Sequence, residues 1–583
     1  MRLLLHGGPR TAAVPELARH SQGAVWLVPT GEAAGRARAA AAAAGKRPAF
    51  VGTFGEWAFR LLGTAPMTQE ARRRALDAAM PSALRDATER LRLSTRAVLS
   101  TPFPGGREGA DVLLDALAFQ KGDEWRDSPH FPALFPDALP ARGALEVVAL
   151  AYDATKRPQQ DEADALLDLR RRLRAEADWR ARTAEEAGTV LVSDLEETTH
   201  LERTMLQALA PANLVMQGEA FAHTGRRGPP FDPPAEMLRL FPDLKVQEVH
   251  ANRETAAQVV RVLRAVVPDL QDTAPGGGSA IRTANFPTLE AEARYVAAGV
   301  GGLVQQRTPP GTIAVVHPHE APPPALVDAL SRARAPLTRL AGQGDPKGNT
   351  AEALWSYLRW VTDPSFQYKR TDLQHQAVLA SLLAMHTGVS REAAMRFVRA
   401  LGTEGPSTAA AQAVASALRK VKDPAVDRAV QGLLQHRQEM RTRLSSLTPA
   451  MAMREARTYL AREGVRPPTE PEWDFALVTT VEGEAKAHEN VATLVEDLRR
   501  WRDGQAVAVI PAARAKALLF DHVFFAGFTE GEFPQAEEGP VFERDARRFA
   551  AGASAARKAL TITSGGTPSR FYRDAFAAVQ RGV

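Results

Sequence analysis

Short apolar runs recur along the chain, and most of them lead into a turn and then a helical pattern. Such runs lie at Arg2–His6, Ala24–Thr30, Thr189–Ser193, Thr312–His317 and Val523–Ala526. A continuous apolar run of about four to eight residues between turn signals is typical of a strand buried on both faces of a parallel sheet. The alternation of these strands with helices predicts an α/β fold.

The most legible of these strands lies within the stretch Phe520–Pro534. Val523–Ala526 is apolar, and the loop Gly527–Pro534 leaves its carboxyl end. Ligands of open α/β sheets bind at the carboxyl ends of the strands. The loop is therefore a candidate site, although a buried strand with an ordinary turn explains the same residues.

Length and composition set the class of protein. The 583 residues predict three or four domains, because single cores stop growing near roughly 300 residues. The net charge of +5 permits binding of a polyanion without requiring it. The chain has no cysteine, which excludes disulfides and thiolate metal sites and favours an intracellular protein. Without a signal peptide or an apolar stretch of about 18 residues, a cytoplasmic location is expected.

A glycine-rich turn follows the first strand and precedes a helix, which is the layout of a phosphate-binding loop. Its residues suit that role poorly, because Pro9 has no N–H to donate and Arg10 lacks the compact ammonium of a lysine. Gly8, Arg10 and Thr11 are thus candidates for a vestigial nucleotide site. An ordinary turn is the simpler interpretation.

Two further strands end in residues suited to a nucleic-acid backbone. Pro29 and Thr30 follow one strand, and Thr53 and Phe54 follow another. Hydroxyls and loop amides can bind phosphates without reading sequence. These four residues are therefore candidates for phosphate contact, although either unit alone could be a simple strand–helix turn.

Polar segments follow the later strands in the same manner. They are Ser193–Glu202, Glu219 with Arg226-Arg227-Gly228, Asn252-Arg253-Glu254, the linker Pro275–Ser279 and Pro511–Phe520. In this order, the segments resemble the motifs of UvrD-like superfamily 1 DNA helicases. The stretch Phe520–Pro534 looks most like the helicase-derived B subunit of AddAB-type helicase-nucleases, which is itself similar to RecC.

The resemblance implies two RecA-like parallel-sheet motor domains, each with a mainly helical insertion. The implied order is a first RecA-like domain at 1–64 and 187–274, a helical insertion at 65–186, a linker at 275–279, a second RecA-like domain at 280–365 and 505–583, and a second helical insertion at 366–504. The resemblance also implies contact with DNA at six residues, which are Pro29, Thr30, Thr53, Phe54, Arg226 and Arg227.

Most residues that would carry ATP hydrolysis in that family are replaced. Ser193 stands at the position of the magnesium-binding acid, and Asp194 at that of the catalytic base. Lys516 is retained from the family's motif V. Arg253 matches a phosphate-contacting arginine, although an exposed arginine at the start of a helix explains it equally well. Ala555 stands where an arginine would stabilise the transferring phosphate, which argues strongly against hydrolysis. Asp194 and Lys516 are therefore vestigial, no cofactor or metal is expected, and weak binding of ATP and magnesium is left open.

The resemblance predicts a catalytically degenerate, helicase-like DNA-binding subunit in double-strand-break processing or recombinational repair. It would hold or guide single-stranded or forked DNA beside a helicase-nuclease partner subunit, with no membrane contact. No ATPase or nuclease activity is expected within these residues. Two alternatives remain: an active ATP-dependent DNA translocase whose motifs are aligned wrongly here, and a protein-interaction scaffold without DNA contact.

Overall fold

A computed structural model of the chain confirms the α/β fold class. In the part of the chain that the structure describes, the strands form two parallel sheets of six strands each, as expected of two RecA-like domains with helical insertions. The strands are β1 (Arg2–Gly7), β2 (Val25–Val28), β3 (Phe50–Thr53), β4 (Thr189–Val192), β5 (Asn213–Glu219), β6 (Lys245–Val249), β7 (Ala280–Phe286), β8 (Ile313–His317), β9 (Leu337–Thr338), β10 (Val507–Pro511), β11 (Phe520–Phe525) and β12 (Ala556–Gly565).

The structure describes residues 1–7, 13–67, 69–91, 114, 117–118, 121, 142–219, 233–249, 257–267, 280–319, 321–341, 348–362, 373–402, 410–441, 447–462, 464–467, 473, 475–486, 488–516 and 518–581. The predicted linker at 275–279 lies outside these residues. Among the described residues, none of the helices is both long enough and apolar enough to cross a bilayer.

Contacts divide the chain into two compact units. The first comprises 1–308, 312–335 and 509–583, and the second comprises 309–311 and 336–508. Helices of the first unit are α1 (Ala13–Ala18), α2 (Gly31–Ala43), α3 (Phe54–Leu62), α4 (Gln69–Leu91), α5 (Arg142–Lys156), α6 (Glu162–Ala175), α7 (Ala177–Ala187), α8 (His200–Leu209), α9 (Pro233–Leu240), α10 (Ala257–Val266), α11 (Leu289–Gln305), α12 (Pro324–Arg332), α21 (Gly539–Ser554) and α22 (Arg570–Gln580). The predicted domain boundaries stay a prediction.

The second unit is mainly helical and has a hydrophobic core of its own. Its helices are α13 (Asn349–Thr362), α14 (Leu373–Ala384), α15 (Arg391–Gly402), α16 (Ala410–Val421), α17 (Pro424–Arg441), α18 (Pro449–Leu460), α19 (Phe475–Ala485) and α20 (Val491–Arg502). The core is built from large apolar side chains, among them Trp355, Tyr357, Phe397 and Trp501.

The first sheet has the strand order β3-β2-β4-β5-β1-β6. Successive side chains of a strand point to opposite faces, so alternate residues enter two separate cores. Val25, Leu27 and Val192 pack into one core, which also contains Phe54 and Trp57 of α3. The opposite core holds Trp26, Val28, Leu191 and Val215 together with the alanines of α2. Burial on both faces explains why these strands are continuous apolar runs.

The second sheet has the order β7-β12-β11-β8-β10-β9. Strand β11 pairs in parallel with both β8 and β12, and Phe525 at its end is fully buried. The ring of Phe525 lies 4.7 Å from that of Phe528 and 5.9 Å from that of Phe549, measured between centroids. Phe528 and Phe533 of the following loop are therefore part of this aromatic core.

Candidate functional site

Acidic residues gather where β4 and β5, two neighbouring strands of the first sheet, reach their carboxyl ends. The pairing of Val192 with Met216 fixes their register, so residues that follow β4 lie beside the end of β5. Ser193 and Asp194 follow β4 directly, and a 3₁₀ turn at Leu195–Glu197 comes next. This edge is where open α/β sheets bind ligands.

The turn after β4 holds Asp194 in an unusual backbone conformation. Its φ of 54° and ψ of 43° lie in the left-handed region, which aspartate tolerates better than most residues. The Asp194 N–H donates to Oε1 of Gln217 at 3.0 Å, inside the sheet. The backbone therefore fixes where the Asp194 carboxylate points.

Ser193 makes a buried contact on the other side of the turn. Its Oγ accepts a hydrogen bond from the indole N–H of Trp26 at 3.1 Å. Both side chains are almost inaccessible to solvent. The hydroxyl thus satisfies a buried indole N–H, and it brings no charge to the site.

The ammonium of Lys516 lies among the carboxylates. Lys516 follows the 3₁₀ turn Ala512–Arg514, and its Nζ is 3.2 Å from Oδ1 of Asp194 and in direct contact with Oε1 of Glu196. Oε1 of Glu197 is 3.9 Å away. All four side chains are at least nine-tenths buried and belong to the first unit. A lysine from the C-terminal part of the chain therefore completes the acidic site.

The remaining carboxylate oxygens also have donors. Arg36 of α2 contacts Oδ2 of Asp194 through Nη2 at 3.0 Å. The N–H of Glu219, at the end of β5, donates to Oε2 of Glu196 at 3.0 Å. Each oxygen of these two carboxylates is thus bound by a protein donor.

The charges of the site shift its pKa values. Burial alone would lower the pKa of Lys516, but the neighbouring carboxylates outweigh it, and the pKa is raised. Burial alone would raise the pKa of Asp194. The positive charges of Lys516 and Arg36 outweigh burial and lower the pKa of Asp194 below the ordinary aspartate value, to about 2. Burial raises the pKa of Glu196, and the charge of Asp194 adds to this against the effect of Lys516. Asp194 and Lys516 are thus a charged pair at neutral pH.

These residues do not fit a magnesium–nucleotide site. Magnesium requires near-octahedral oxygen ligands, and the oxygens of Asp194 and Glu196 already bind an ammonium, a guanidinium and an amide N–H. A metal ion could bind here only by displacing Lys516. In the part of the chain that the structure describes, no group of three or more His, Asp or Glu residues is placed to hold a metal ion.

Several residues predicted for nucleotide or DNA contact lie outside the described residues. They are Gly8, Arg10, Thr11, Arg226, Arg227 and Arg253. Their roles stay predictions. The strand that leads to the glycine-rich turn is described, and β1 lies between β5 and β6.

The predicted DNA-contact loops after β2 and β3 are described, and their side chains have structural partners. The Thr30 hydroxyl caps α2 by accepting the N–H of Ala33 at 3.2 Å. Thr53 and Glu56 form a reciprocal capping box at the start of α3. Phe54 is fully buried, as is most of Pro29, so neither offers a side-chain surface for base stacking. Contact of these four residues with DNA stays a prediction. Backbone groups of the two loops and the accessible parts of the threonine side chains are the groups that would make it.

The loop Gly527–Pro534 is likewise occupied by structural contacts. The Gly527 N–H donates to Oε1 of the buried Glu292 at 2.8 Å, and Thr563 Oγ1 donates to the same oxygen at 2.6 Å. The Thr529 hydroxyl donates to the carbonyl of Gly565 at 2.8 Å. These hydrogen bonds connect the loop to the C-terminal end of β12 and to Glu292 of α11.

Five residues of the site were not predicted as site residues: Arg36, Gln217, Trp26, Glu196 and Glu197. Gln217 had a usable signal, because it is a polar residue inside an otherwise apolar strand and so needs a buried partner. Arg36 interrupts an alanine-rich helix, which by itself indicates only an exposed face.

Comparison with known proteins identifies no family. None of the protein-family models matches this chain, nor does any curated protein. The function must therefore be argued from the residues of the site and from the order of motifs along the sequence.

Proposed function

We propose that the chain is a catalytically degenerate, helicase-like DNA-binding subunit that acts in double-strand-break processing or recombinational repair. It holds or guides single-stranded or forked DNA and leaves translocation to a helicase-nuclease partner. We place it in the cytoplasm. The proposal rests on the order of helicase-like motifs along two parallel sheets and on the chemistry at the carboxyl edge of the first.

One observation supports the proposal above the others: the Lys516 ammonium sits among Asp194, Glu196 and Glu197. A nucleotide-hydrolysing site needs such carboxylates for a magnesium ion and an attacking water. Here they neutralise a lysine of the same chain, while Ser193 bonds to Trp26. A folded α/β frame with an internally neutralised acid site favours a DNA-holding role over an ATP-driven motor.

The test measures DNA binding and ATP turnover on the same preparation. We expect a fluorescent forked DNA to be retained at low salt and released steeply as salt rises, because phosphate contacts release counterions. We expect no ATP turnover above background, with or without single-stranded DNA. Failure to bind forked DNA at any salt concentration would reject the DNA-holding role and leave the interaction scaffold.

ATP turnover that DNA stimulates would favour the translocase instead. The double variant Arg10→Ala/Asp194→Asn then decides whether the turnover belongs to this chain. Turnover lost in this variant but kept in Lys558→Met, which changes an exposed pair with Asp521, would overturn the proposal. Turnover unchanged in both variants would indicate a contaminating ATPase.

A further inference from the structure

The ion pairs of Lys516 join segments that belong to different sheets, and we call them the inter-sheet contact. Asp194 and Glu196 follow β4 of the first sheet, whereas Lys516 lies between β10 and β11 of the second sheet. Both segments belong to the first unit, as do β7, β8, β11 and β12. The acidic site is therefore a contact between two sheets of one compact unit.

The carboxylates of this contact are fixed to the first sheet. The backbone N–H of Asp194 donates to Oε1 of Gln217 inside β5 at 3.0 Å. Oε2 of Glu196 accepts the N–H of Glu219, at the end of the same strand, at 3.0 Å. Arg36 of α2 donates to Oδ2 of Asp194, also at 3.0 Å. A movement of the opposing segment would therefore break the ion pairs, because the carboxylates are bonded to β5 and α2.

The ammonium is fixed to the second sheet in the same way. Ala512 and Ala515, which precede Lys516, are fully buried, and the N–H of Ala515 donates to the carbonyl of Ala512 at 3.1 Å. Helix α21 packs against this 3₁₀ turn. Beyond Lys516, the N–H of Phe520 donates at 2.8 Å to the carbonyl of Ala555, which directly follows α21. The segment that carries Lys516 is thus held by the second sheet on both sides.

The contact is closed to water and is specific in geometry. Nζ of Lys516 touches Glu196 and lies 3.2 Å from Asp194 and 3.9 Å from Glu197, and all four side chains are less than one-tenth exposed. A buried polar network whose members all have partners makes its surroundings rigid. A small displacement of one segment would leave buried charges with incomplete partners, which is costly. The network therefore favours a single arrangement of the two segments.

Closure around a ligand requires the opposite property. Proteins that close by hinge motion keep two arrangements of their parts, and the ligand binds one of them better. Here the chain itself supplies the cation that fills the acidic edge of the first sheet. The two segments are thus held together without any ligand.

We propose that the inter-sheet contact holds the two sheets of the first unit in one fixed arrangement and prevents hinge motion between them. The inference goes beyond the proposed function, because it stands on the contacts of Lys516 and does not require DNA binding. It makes the first unit a rigid body in which Lys516 replaces the charge of a ligand.

The experiment measures the distance between two nitroxide labels, one beside each sheet, by pulsed electron paramagnetic resonance. The chain has no cysteine, so Gln207→Cys and Ala298→Cys place each label at a unique and exposed position. Gln207 lies on α8, whose apolar face enters a core of the first sheet, and Ala298 lies on α11, which packs against β7 and β12. We expect one narrow distance distribution, unchanged by magnesium and ATP.

Loss of the cation should release the two sheets. In Lys516→Met we expect a second, longer distance in at least about a tenth of the molecules, because two conformations commonly differ by less free energy than the loss of one partner of a buried pair costs. The matched control is Lys558→Met, which removes an exposed ion pair with Asp521 inside the second sheet. Its distance distribution should equal that of the labelled parent.

A further variant separates release of the sheets from unfolding. Asp194→Asn/Glu196→Gln/Lys516→Met removes the ion pairs and also the two carboxylate charges nearest to the ammonium. It should be more stable than Lys516→Met, because neutral side chains are less costly to bury than unpaired charges. We expect it to keep the circular dichroism spectrum of the labelled parent and to show the longer distance.

Three results would overturn the inference. The first is an unchanged single distance in the folded triple variant. The second is a pair of distances in the labelled parent, and the third is a parent distance that shifts when magnesium and ATP are added. Retention of forked DNA by the same parent is measured separately. A parent with one distance that does not retain DNA would reject the proposed function and leave the inter-sheet contact intact, whereas retained DNA with any of these three results would reject the inter-sheet contact alone.

Discussion

At the scale of single residues, Lys516 is the group that changes the chemistry of the acid site. Its ammonium supplies, from within the chain, the positive charge that the three carboxylates would otherwise take from solvent. Burying such a group costs desolvation, which its ion pairs offset only if the remaining oxygens are also bonded. The bonds from Arg36 and from the Glu219 N–H meet that condition.

We predict that Lys516→Met destabilises the first unit by about 3 to 5 kcal/mol, because it removes the ammonium that Asp194, Glu196 and Glu197 share and leaves Arg36 as the cation beside Asp194. Lys558→Met is the matched control, since Lys558 is 64% exposed and pairs with Asp521 at 2.7 Å. An exposed pair contributes about 1 kcal/mol or less. Urea unfolding of both variants makes the comparison, and equal losses of stability would show that the buried pairs are dispensable.

Asp497 of α20 is a second buried charge, and it makes stability depend on pH. Burial raises its pKa to about 7, although Thr338 and Arg500 act against the shift. His488 Nε2 lies 3.7 Å from its Oδ2, and burial lowers the pKa of that histidine. In the unfolded chain an aspartate titrates near about 4. The folded state therefore holds more protons between about pH 4 and 7, and stability falls as pH rises through that range.

We predict that Asp497→Asn removes this dependence. The variant stays neutral, so it should exceed wild type in stability at pH 8, by up to about 4 kcal/mol, and match it near pH 4. Thermal unfolding of both proteins from pH 4 to 8 gives the difference curve. The control is Asp427→Asn, at an exposed aspartate of α17. Its stability should depend on pH in the same way as that of wild type. A difference curve for Asp497→Asn that is flat in pH would rule out the raised pKa.

At the scale of elements, the sequence predicts those strands that are buried on both faces. The apolar runs correspond to β1, β2, β4, β8 and β11 within one to three residues at each end. Strand β6 was not predicted. It lies at the edge of the first sheet, and its residues are mostly exposed, so its sequence has no apolar run. Strand β7, also at an edge, mixes polar and apolar residues and likewise has no apolar run. Edge strands are fixed by pairing with a neighbour, which the local pattern does not report.

The same limit applies to the candidate site. Asp194 could be singled out because it follows a buried strand at a sheet's carboxyl end, and Lys516 because it lies in a helicase-like motif. Their contact could not be predicted, since the lysine is 320 positions from its partner Glu196. Only the way the strands assemble brings the two segments together.

The packing of α21 on the second sheet gives a prediction for helix–sheet contacts. A Cβ at Gly552 would lie 2.5 Å from Cε1 of Phe525 and 3.1 Å from Val316 Cγ1, whereas a Cβ at Gly302 of α11 would meet nothing within 4 Å. Gly552→Ala should therefore destabilise by about 1 to 3 kcal/mol. Gly302→Ala should stabilise by about 0.5 to 1 kcal/mol, because alanine favours a helix. Urea unfolding should show a lower midpoint for Gly552→Ala and a higher midpoint for Gly302→Ala than for wild type. A higher midpoint for Gly552→Ala would contradict the close packing of α21 on the sheet.

At the scale of the whole molecule, the second unit has a hydrophobic core built from its own residues. The core of the second unit is formed entirely by residues between Leu340 and Trp501. Among the described residues, the buried side chains that form the two cores of the first sheet lie between Leu4 and Leu244. Units with their own cores commonly unfold as separate cooperative transitions, so one melting temperature does not describe such a chain.

We predict that calorimetry at pH 7.5 resolves two transitions, which can be assigned with the variants above. Lys516→Met should lower one transition, because Lys516 and its carboxylate partners belong to the first unit. Asp497→Asn should raise the other, because Asp497 lies in the second unit and its buried charge costs stability above its pKa of about 7. Each variant should leave the remaining transition within about 1 °C of wild type, as expected for sites that share no partner and whose effects add. A single transition moved by both variants would mean that the two cores unfold together. The stability of the acidic site around Lys516 would then be coupled to that of the helices of the second unit.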